Sequence, residues 1–335
     1  MSTNQIQLPE APAIPGLAFR TFRGIEDCAN IHAILTACDK AEGGERADTL
    51  EDVITSYSHL NNCDPYQDLI FAEINGEPIA YTRIEHRRED LTNIRIYLSI
   101  GFIKPEWWRK GIGRAMLHWG ENRLRQIAAS QPEDGPRFFE GFTADNQKGK
   151  IALFYAEGYI PVRHFHNMVR PNLESIPDLP LPDGIEVRPA KPEDYRLIWE
   201  EMQDAFQDHW GYHRESEENY QHWLASSEFQ PDLWQIAWDG PRVVGTVLGY
   251  INQAENEANH RKRGYTEEIT VLREYRKKGI ARALIAGCLR ALKAAGMNEA
   301  ALGVDAENIS GATRLYEAMG YRTVSKSSTM RKPLV

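Results

Sequence analysis

Two stretches of this sequence combine glycine with basic residues in a way that suits a phosphate. Arg276-Lys277-Lys278-Gly279-Ile280-Ala281-Arg282 and Arg109-Lys110-Gly111-Ile112-Gly113-Arg114 each follow a β-like run and open a helical one. The first turn of a helix carries unpaired N–H groups and a partial positive charge. Small residues let the backbone come close to a ligand, and the flanking cations add charge, so the chemistry expected there is the holding of a diphosphate. Other phosphate motifs are incomplete. A dinucleotide fingerprint needs a third glycine, where Met116 and Leu284 stand, and no Gly-Lys-Ser/Thr follows either string. The alternative is a packing role, with small residues merely letting a helix approach a strand.

The elements around these strings recur. Gly279 lies 168 positions after Gly111, and Glu307-Asn308 and Gly320-Tyr321 lie 162 after Asp145-Asn146 and Gly158-Tyr159. The turn dipeptides Asn75-Gly76 and Asp239-Gly240 are 164 apart. A period this long means two domains and not two turns of an array. Each copy reads in one order: a strand (17–23; 185–189), helical segments (25–41 and 50–60; 193–208 and 216–226) and a hairpin at the Asn-Gly or Asp-Gly turn. A β segment (94–103; 266–271), a long helix (111–128; 279–295), a strand (137–142; 299–304), a short helix and a last strand follow. The expected fold is mixed α/β (α+β), two tandem domains, each a twisted mixed sheet flanked by helices.

Pro171, Pro177, Pro180 and Pro182 mark the joint, because proline removes donors and stiffens the chain. The expected division is a flexible lead (1–16), a first domain (17–170), a linker (171–183) and a second domain (184–335), with 325–335 closing the second sheet. Composition excludes several classes. A net charge of −9 argues against a general grip on nucleic acid. No apolar run reaches the roughly 18 residues of a membrane span. The four cysteines have no CxxC spacing, and His209 and His213 lack further ligands, so no metal is expected. The start has neither a basic nor an apolar signal region, so a cytoplasmic location is expected. Asn256 to Arg263 is read as a basic hairpin tip able to attract an acidic acceptor, and Asp208 to His213 as an acceptor wall or a packed loop.

The C-terminal half resembles the GNAT-superfamily acetyltransferases. Their pyrophosphate loop is matched by Arg276, Gly279 and Ala281, the strand end before it by Val271, and their late motif by Asn308, Ala312, Leu315, Tyr316, Gly320 and Tyr321. The likeness extends to both halves, and the tandem arrangement is also distantly similar to the mycothiol synthases, which act on a cysteinyl sugar. The resemblance implies acetyl-CoA as co-substrate. Backbone groups of Lys277, Lys278, Gly279, Ile280, Ala281 and Arg282 would hold its pyrophosphate beside Arg276, Ile269 and Val271 would pair with its pantetheine arm, and Asn308 would contact that arm. Tyr316 would protonate the departing thiolate. Glu267 and Glu268 lie on the strand that reaches the thioester and are the candidate general bases, Glu267 placed first. Alternation puts Glu267 with Ile269 and Val271 and sets Glu268 on the other face.

The first copy departs from this pattern. Trp108 stands at the place of Arg276, Ser99 at that of Glu267 by counting back from each glycine, Phe154 at that of Tyr316, and Lys150 at that of Ala312. It is read as non-catalytic, with Ile103, Arg109, Lys110, Gly111, Ile112, Gly113 and Arg114 as a second CoA site or as structure alone. The expected activity is N-acyl transfer from acetyl-CoA to a small-molecule or peptide amine, by direct attack in a ternary complex, in the second domain. The alternative is an acyl-CoA-binding module without catalysis. Neither a nucleic acid nor a membrane is an expected partner, and the oligomeric state is not legible.

Overall fold

The structure is a computed structural model that describes residues 5–308 and 310–335. The chain forms two compact units: Met1–Arg163 with Ser328–Val335, and His164–Ser327.

The first unit contains β1 (Gln5–Ile6), β2 (Leu17–Thr21), α1 (Cys28–Glu42), α2 (Leu50–Ser58), α3 (Pro65–Asp68), β3 (Leu69–Ile74), β4 (Glu77–Arg88), β5 (Arg95–Ile103), α4 (Ile112–Ala129), β6 (Arg137–Ala144) and α5 (Lys148–Ala156). Its strands run in the order β1-β2-β3-β4-β5-β6, antiparallel except for the parallel β5–β6 pair. Asn75 and Gly76 both have positive φ, 51° and 88°, as a type I′ turn requires. One face of α4 is buried through Ile112, Met116 and Leu124, and α2 starts on a reciprocal Thr49–Asp52 capping box.

Residues 5–16 differ from the flexible lead expected of them. Gln5 and Ile6 pair with Arg20 and Phe19, and Leu8 is buried in the cluster around Phe19 and Ile70. The polar and proline content pointed to a loose segment, but its few apolar side chains suffice to seat it.

The second unit contains β7 (Ile160–Arg170) from its fifth residue, then β8 (Ile185–Arg188), α6 (Tyr195–Ala205), α7 (Glu217–Ala225), β9 (Gln235–Asp239), β10 (Arg242–Tyr250), α8 (Gln253–Ala258), β11 (Arg263–Val271), α9 (Ile280–Ala294), β12 (Glu299–Asp305), α10 (Ala312–Ala318) and the start of β13 (Arg322–Pro333). Its strand order is β7-β12-β11-β10-β9-β8, with β11 and β12 parallel. The core centres on α9, whose Leu284, Ile285, Cys288, Leu289 and Leu292 pack with Val244, Val247 and Leu302. Cys288 is therefore a packing residue; burial pushes its thiol up to about 12.

The chain's order and the units' membership part company at the last strands. Phe165 to Arg170 pair with Asp305 to Ala300 of the second unit, and the Arg170 guanidinium binds the Asn172, Ser175 and Met319 carbonyls there. Residues 328–335 belong to the first unit instead of closing the second sheet. Strand ends find the edge that satisfies their backbone and buried charges, and that edge need not be the one nearest in sequence.

The segment 256–263 is not a hairpin tip. It is the end of α8 and the turn after it; Asn256 is buried and exchanges hydrogen bonds of 2.8 Å with both backbone groups of Arg263. Arg261 pairs with Glu255 and Arg263 with Glu299, so two of its cations are already neutralised. No helix among the described residues is long and apolar enough to cross a membrane.

Arg331, in the first-unit part of β13, donates to Glu140 at 2.7 Å and Glu89 at 2.5 Å, and all three side chains are almost fully buried. Removing one partner strands the others away from water. Arg331→Ala is expected to destabilise the protein by roughly 3–5 kcal/mol, read from urea unfolding, and Glu89→Gln to cost less.

Candidate functional site

The glycine strings adopt one shape in both units. Lys277 and Gly279 have φ of 61° and 87°, and Arg109 and Gly111 have 60° and 88°. Left-handed residues two apart turn successive N–H groups toward one concavity, which attracts anions. The first bond of α9 runs from Ala283 N to the Gly279 carbonyl at 3.1 Å. Among the described residues nothing accepts from the amides of Lys277 to Arg282, and glycine at the start of α9 supplies no capping side chain. These free donors suit a pyrophosphate. Lys278 rests its ammonium 5.0 Å from the Tyr275 ring, as Lys110 does 4.3 Å from Trp107.

Arg276 does something the motif did not indicate. Its guanidinium donates to the Val271 carbonyl at 3.0 Å, to Asp208 at 2.6 Å and to the Ala205 carbonyl at 3.1 Å. It staples the end of β11 to the end of α6 with three of its five N–H groups. The first unit keeps the staple with different chemistry: Trp108 Nε1–H donates to the Ile103 carbonyl at 2.6 Å. Arginine and tryptophan thus make the same tie to the strand-end carbonyl five residues earlier.

Beside this loop the parallel pair of β11 and β12 comes apart. Their ladder covers only Arg263–Glu299, Gly264–Ala300 and Tyr265–Ala301, although β11 runs on to Val271 and β12 to Asp305. Ile269 and Val271 lie in the separated part. The separation coincides with a bulge, since Thr246 pairs with Thr270 but Leu248 with Glu267. That leaves one extra residue on β11, and Glu268 has φ of 47°. Thr246, fully buried, donates its hydroxyl to the Glu268 carbonyl at 2.7 Å and bonds Thr270 Oγ1 at 2.8 Å, which pins the bulge. The extra residue breaks the alternation expected between Glu267 and Val271.

Glu267 lies across the mouth of the split, its Oε1 accepting from Gly303 N–H of β12 at 2.8 Å. Glu268 is more exposed and has no hydrogen-bond partner among the described residues. Crowding by protein atoms strips water from both carboxylates and pushes Glu267 up to about 8, with Glu268 and Glu228 adding repulsion. The same crowding, with Glu215 and Glu228 nearby, raises Glu268 to about 7. Glu268 nonetheless keeps part of its surface open to solvent. Tyr316 is buried in the α9 core, and its hydroxyl bonds none of the described residues. Burial and the nearby Glu267 charge hold its phenol well above the usual range. Its neighbour Tyr321 anchors β11 through a 2.8 Å hydrogen bond to Thr266. Asn308 uses its side-chain oxygen to cap Ser310 N at 2.7 Å, shaping the turn into α10.

The family model described as acetyltransferase (GNAT) matches residues 30–131 and 195–321, more than half of the chain. The chain belongs to the GNAT acetyltransferase family. A GCN5-related N-acetyltransferase from Sphaerobacter thermophilus superposes with a TM-score of 0.71 at 25% identity, over 95% of this chain and 96% of that one. A tandem GNAT protein from the clavulanic acid biosynthesis pathway gives 0.67 at 14%, over 95% and 99%. A GCN5-related glucosamine N-acetyltransferase region of a fungal multi-domain β-N-acetylglucosaminidase gives 0.66 at 15%, over 96% of this chain and 38% of that one. No curated protein sequence matches.

Within this GNAT protein the two slots differ. β5 has no bulge: its ladder with β4 is unbroken from Ile103 to Arg95. Phe154 is buried and packs on Gly141, where a Cβ would sit 2.4 Å from its ring. Lys150 reaches from α5 to β5 and lays its ammonium 5.0 Å from the Phe102 ring. Asn146 and Gln147 donate to Glu42 at the end of α1, both at 2.9 Å, and Arg114 of the loop pairs with Glu157 at 2.6 Å. In the first unit, Asn146 and Arg114, at the places of Asn308 and Arg282, are thus tied to distant protein groups.

The sequence reading missed Glu215 and Glu228, which gather with Glu267 and Glu268, and the stacked Tyr250 and Tyr265, 4.8 Å apart. It also missed Asp208 as the anchor of Arg273 and Arg276. A carboxylate distant in sequence carries no local signal of the cleft it will line.

The raised carboxylates have a stability signature. Protons are held more tightly in the folded state, so stability is greatest below the unfolded value near 4.5 and declines as pH rises toward 8. Glu267→Gln/Glu268→Gln is expected to flatten that decline, measured as urea midpoints at pH 5, 6.5 and 8.

Proposed function

We propose that the second unit transfers an acyl group, acetyl foremost, from acyl-CoA to a primary amine by direct attack within a ternary complex. One observation carries the reading: two crowded carboxylates and a phenol converge at a strand split that leads to a ring of free helix-start amides.

The amides of Lys277 to Arg282 suit the pyrophosphate, and the separated edge at Ile269–Val271 suits the amide groups of the pantetheine arm. The acidic recess, with Glu215 and Glu228 beside the pair, favours a cationic amine. That amine must lose a proton before attack. Glu268, free of protein hydrogen bonds and raised to about 7, takes it through water, its affinity matched to neutral pH. Glu267, held by Gly303 N–H, keeps the mouth of the split shaped and shares the pair's charge. Tyr316, a weaker acid than a thiol even before burial raises it, does not give up its proton in a separate step. It donates a hydrogen bond to the sulfur and passes the proton as the C–S bond breaks. No protein nucleophile is required. A cysteinyl sugar, as in the mycothiol synthases, is one amine among several that this recess admits.

The test is release of CoA thiol with acetyl-CoA against a panel of amines. Glu268→Gln is expected to lower kcat/KM by about 10²-fold or more and to remove the rising limb near pH 7. Tyr316→Phe is expected to lower kcat by about 10-fold or more with little change in KM. If acetyl-CoA binds but no amine is acylated, or if both variants turn over like the parent, the unit binds acyl-CoA without catalysis.

A further inference from the structure

The first unit holds a cavity of about 320 Å³ that the acyl-transfer reading does not use. It lies among α1, α2, β4, β5, β6 and α5, and its size falls at the lower end for small-molecule pockets. Tyr57, Tyr81, Phe102 and Phe142 give it aromatic walls. Phe142 is 42% exposed, an unusual state for a phenylalanine on a strand.

The charges on its lining do not cancel evenly. Asp48 is paired with Arg46. Asp52 is engaged by Thr49 N and Oγ1 at 2.9 and 2.7 Å. Arg83 reaches Glu85 through Nη1 at 3.0 Å, but its buried Nε–H has no acceptor. Lys150 has no hydrogen bond or ion pair with any described residue, only the Phe102 ring. Burial pushes the ammonium down to about 8, against the pull of nearby Glu42, which itself accepts from Asn146 and Gln147. The unmet groups are therefore donors and a positive charge, not acceptors.

We infer that this cavity is a binding site for a small monocarboxylate with an aromatic or branched apolar body, its carboxylate received by Lys150 and its body by the aromatic walls. The contrast with the second unit is chemical: there an acidic recess faces an amine, and here a lysine without a hydrogen-bonded partner faces an acid. A charge-assisted hydrogen bond in a partly dry site separates the acid from its neutral isostere.

The full chain is titrated calorimetrically with phenylacetate, phenylacetamide and phenethylammonium. Phenylacetate is expected to saturate one site per chain, with the amide and the ammonium weaker by about tenfold or more. Lys150→Met is expected to weaken phenylacetate by about tenfold, Lys150→Arg to retain it, and Phe142→Asp, at an exposed position, to abolish it by placing a like charge in the pocket. The assignment is overturned if phenylacetate does not saturate, if the three probes bind alike, or if Phe142→Asp and a folded Lys150→Met variant bind it as the parent does. Binding is read without turnover, so its outcome is independent of acyl transfer in the second unit.

Discussion

The separation of β11 from β12 is the constraint on which the second unit's chemistry depends. Parallel strands normally satisfy one another's backbone along their whole length. Here the ladder stops after Tyr265 and Ala301, as that of β5 and β6 stops after Leu98 and Glu140, and only β11 carries an extra residue at Glu268 in the open stretch. A non-glycine residue with φ of 47° costs roughly 1–2 kcal/mol. Thr246 offsets that strain by giving the displaced carbonyl a buried hydroxyl partner, and Arg276 secures the far end of the strand through the Val271 carbonyl. Between those two pins the edge is open, both carboxylates lie at its mouth and Tyr316 lies nearby. β5 opens from β6 without a bulge, so what the extra residue changes is the placement of the side chains around Glu268.

That comparison explains how one architecture yields two unlike sites. Both units keep the left-handed loop, the cation over an aromatic ring and the tie to the strand-end carbonyl. These features belong to the junction of a strand with a helix and tolerate a change of side chain, as arginine and tryptophan at the staple demonstrate. What differs is the occupancy of the slot. In the first unit Lys150 and the bonds from Asn146 and Gln147 to Glu42 hold protein groups to one another, and the nearby cavity is left with positive charge. In the second unit the charge is negative.

Much of this was legible in the residues. The order of elements followed from hydrophobic periodicity and turn dipeptides, and the loops were recognisable because glycine beside small and basic residues is a local signature. The staple was not, because Trp108 and Arg276 share only a donor placed to reach a carbonyl five residues earlier. The bulge was also hidden: Thr266 to Val271 reads as plain alternation, and the pairing with β10 that displaces Glu268 is a property of two strands. The buried Leu8 and the destinations of β7 and β13 escaped for the same reason, since a strand's partner is chosen by the edge available to it.

The sequence by itself determined the repeat, the elements of each copy, the two anion-suited loops and the residue types at the reaction centre. Each of these rests on near neighbours along the chain, whose periods and turn preferences are set by local sterics. The tertiary structure decided which carboxylates gather, which groups stay free for a ligand, and which sheet each last strand joins. Those outcomes depend on burial and on competition for hydrogen-bond partners among residues from 22 to 242 positions apart, and neither quantity exists until the chain has folded.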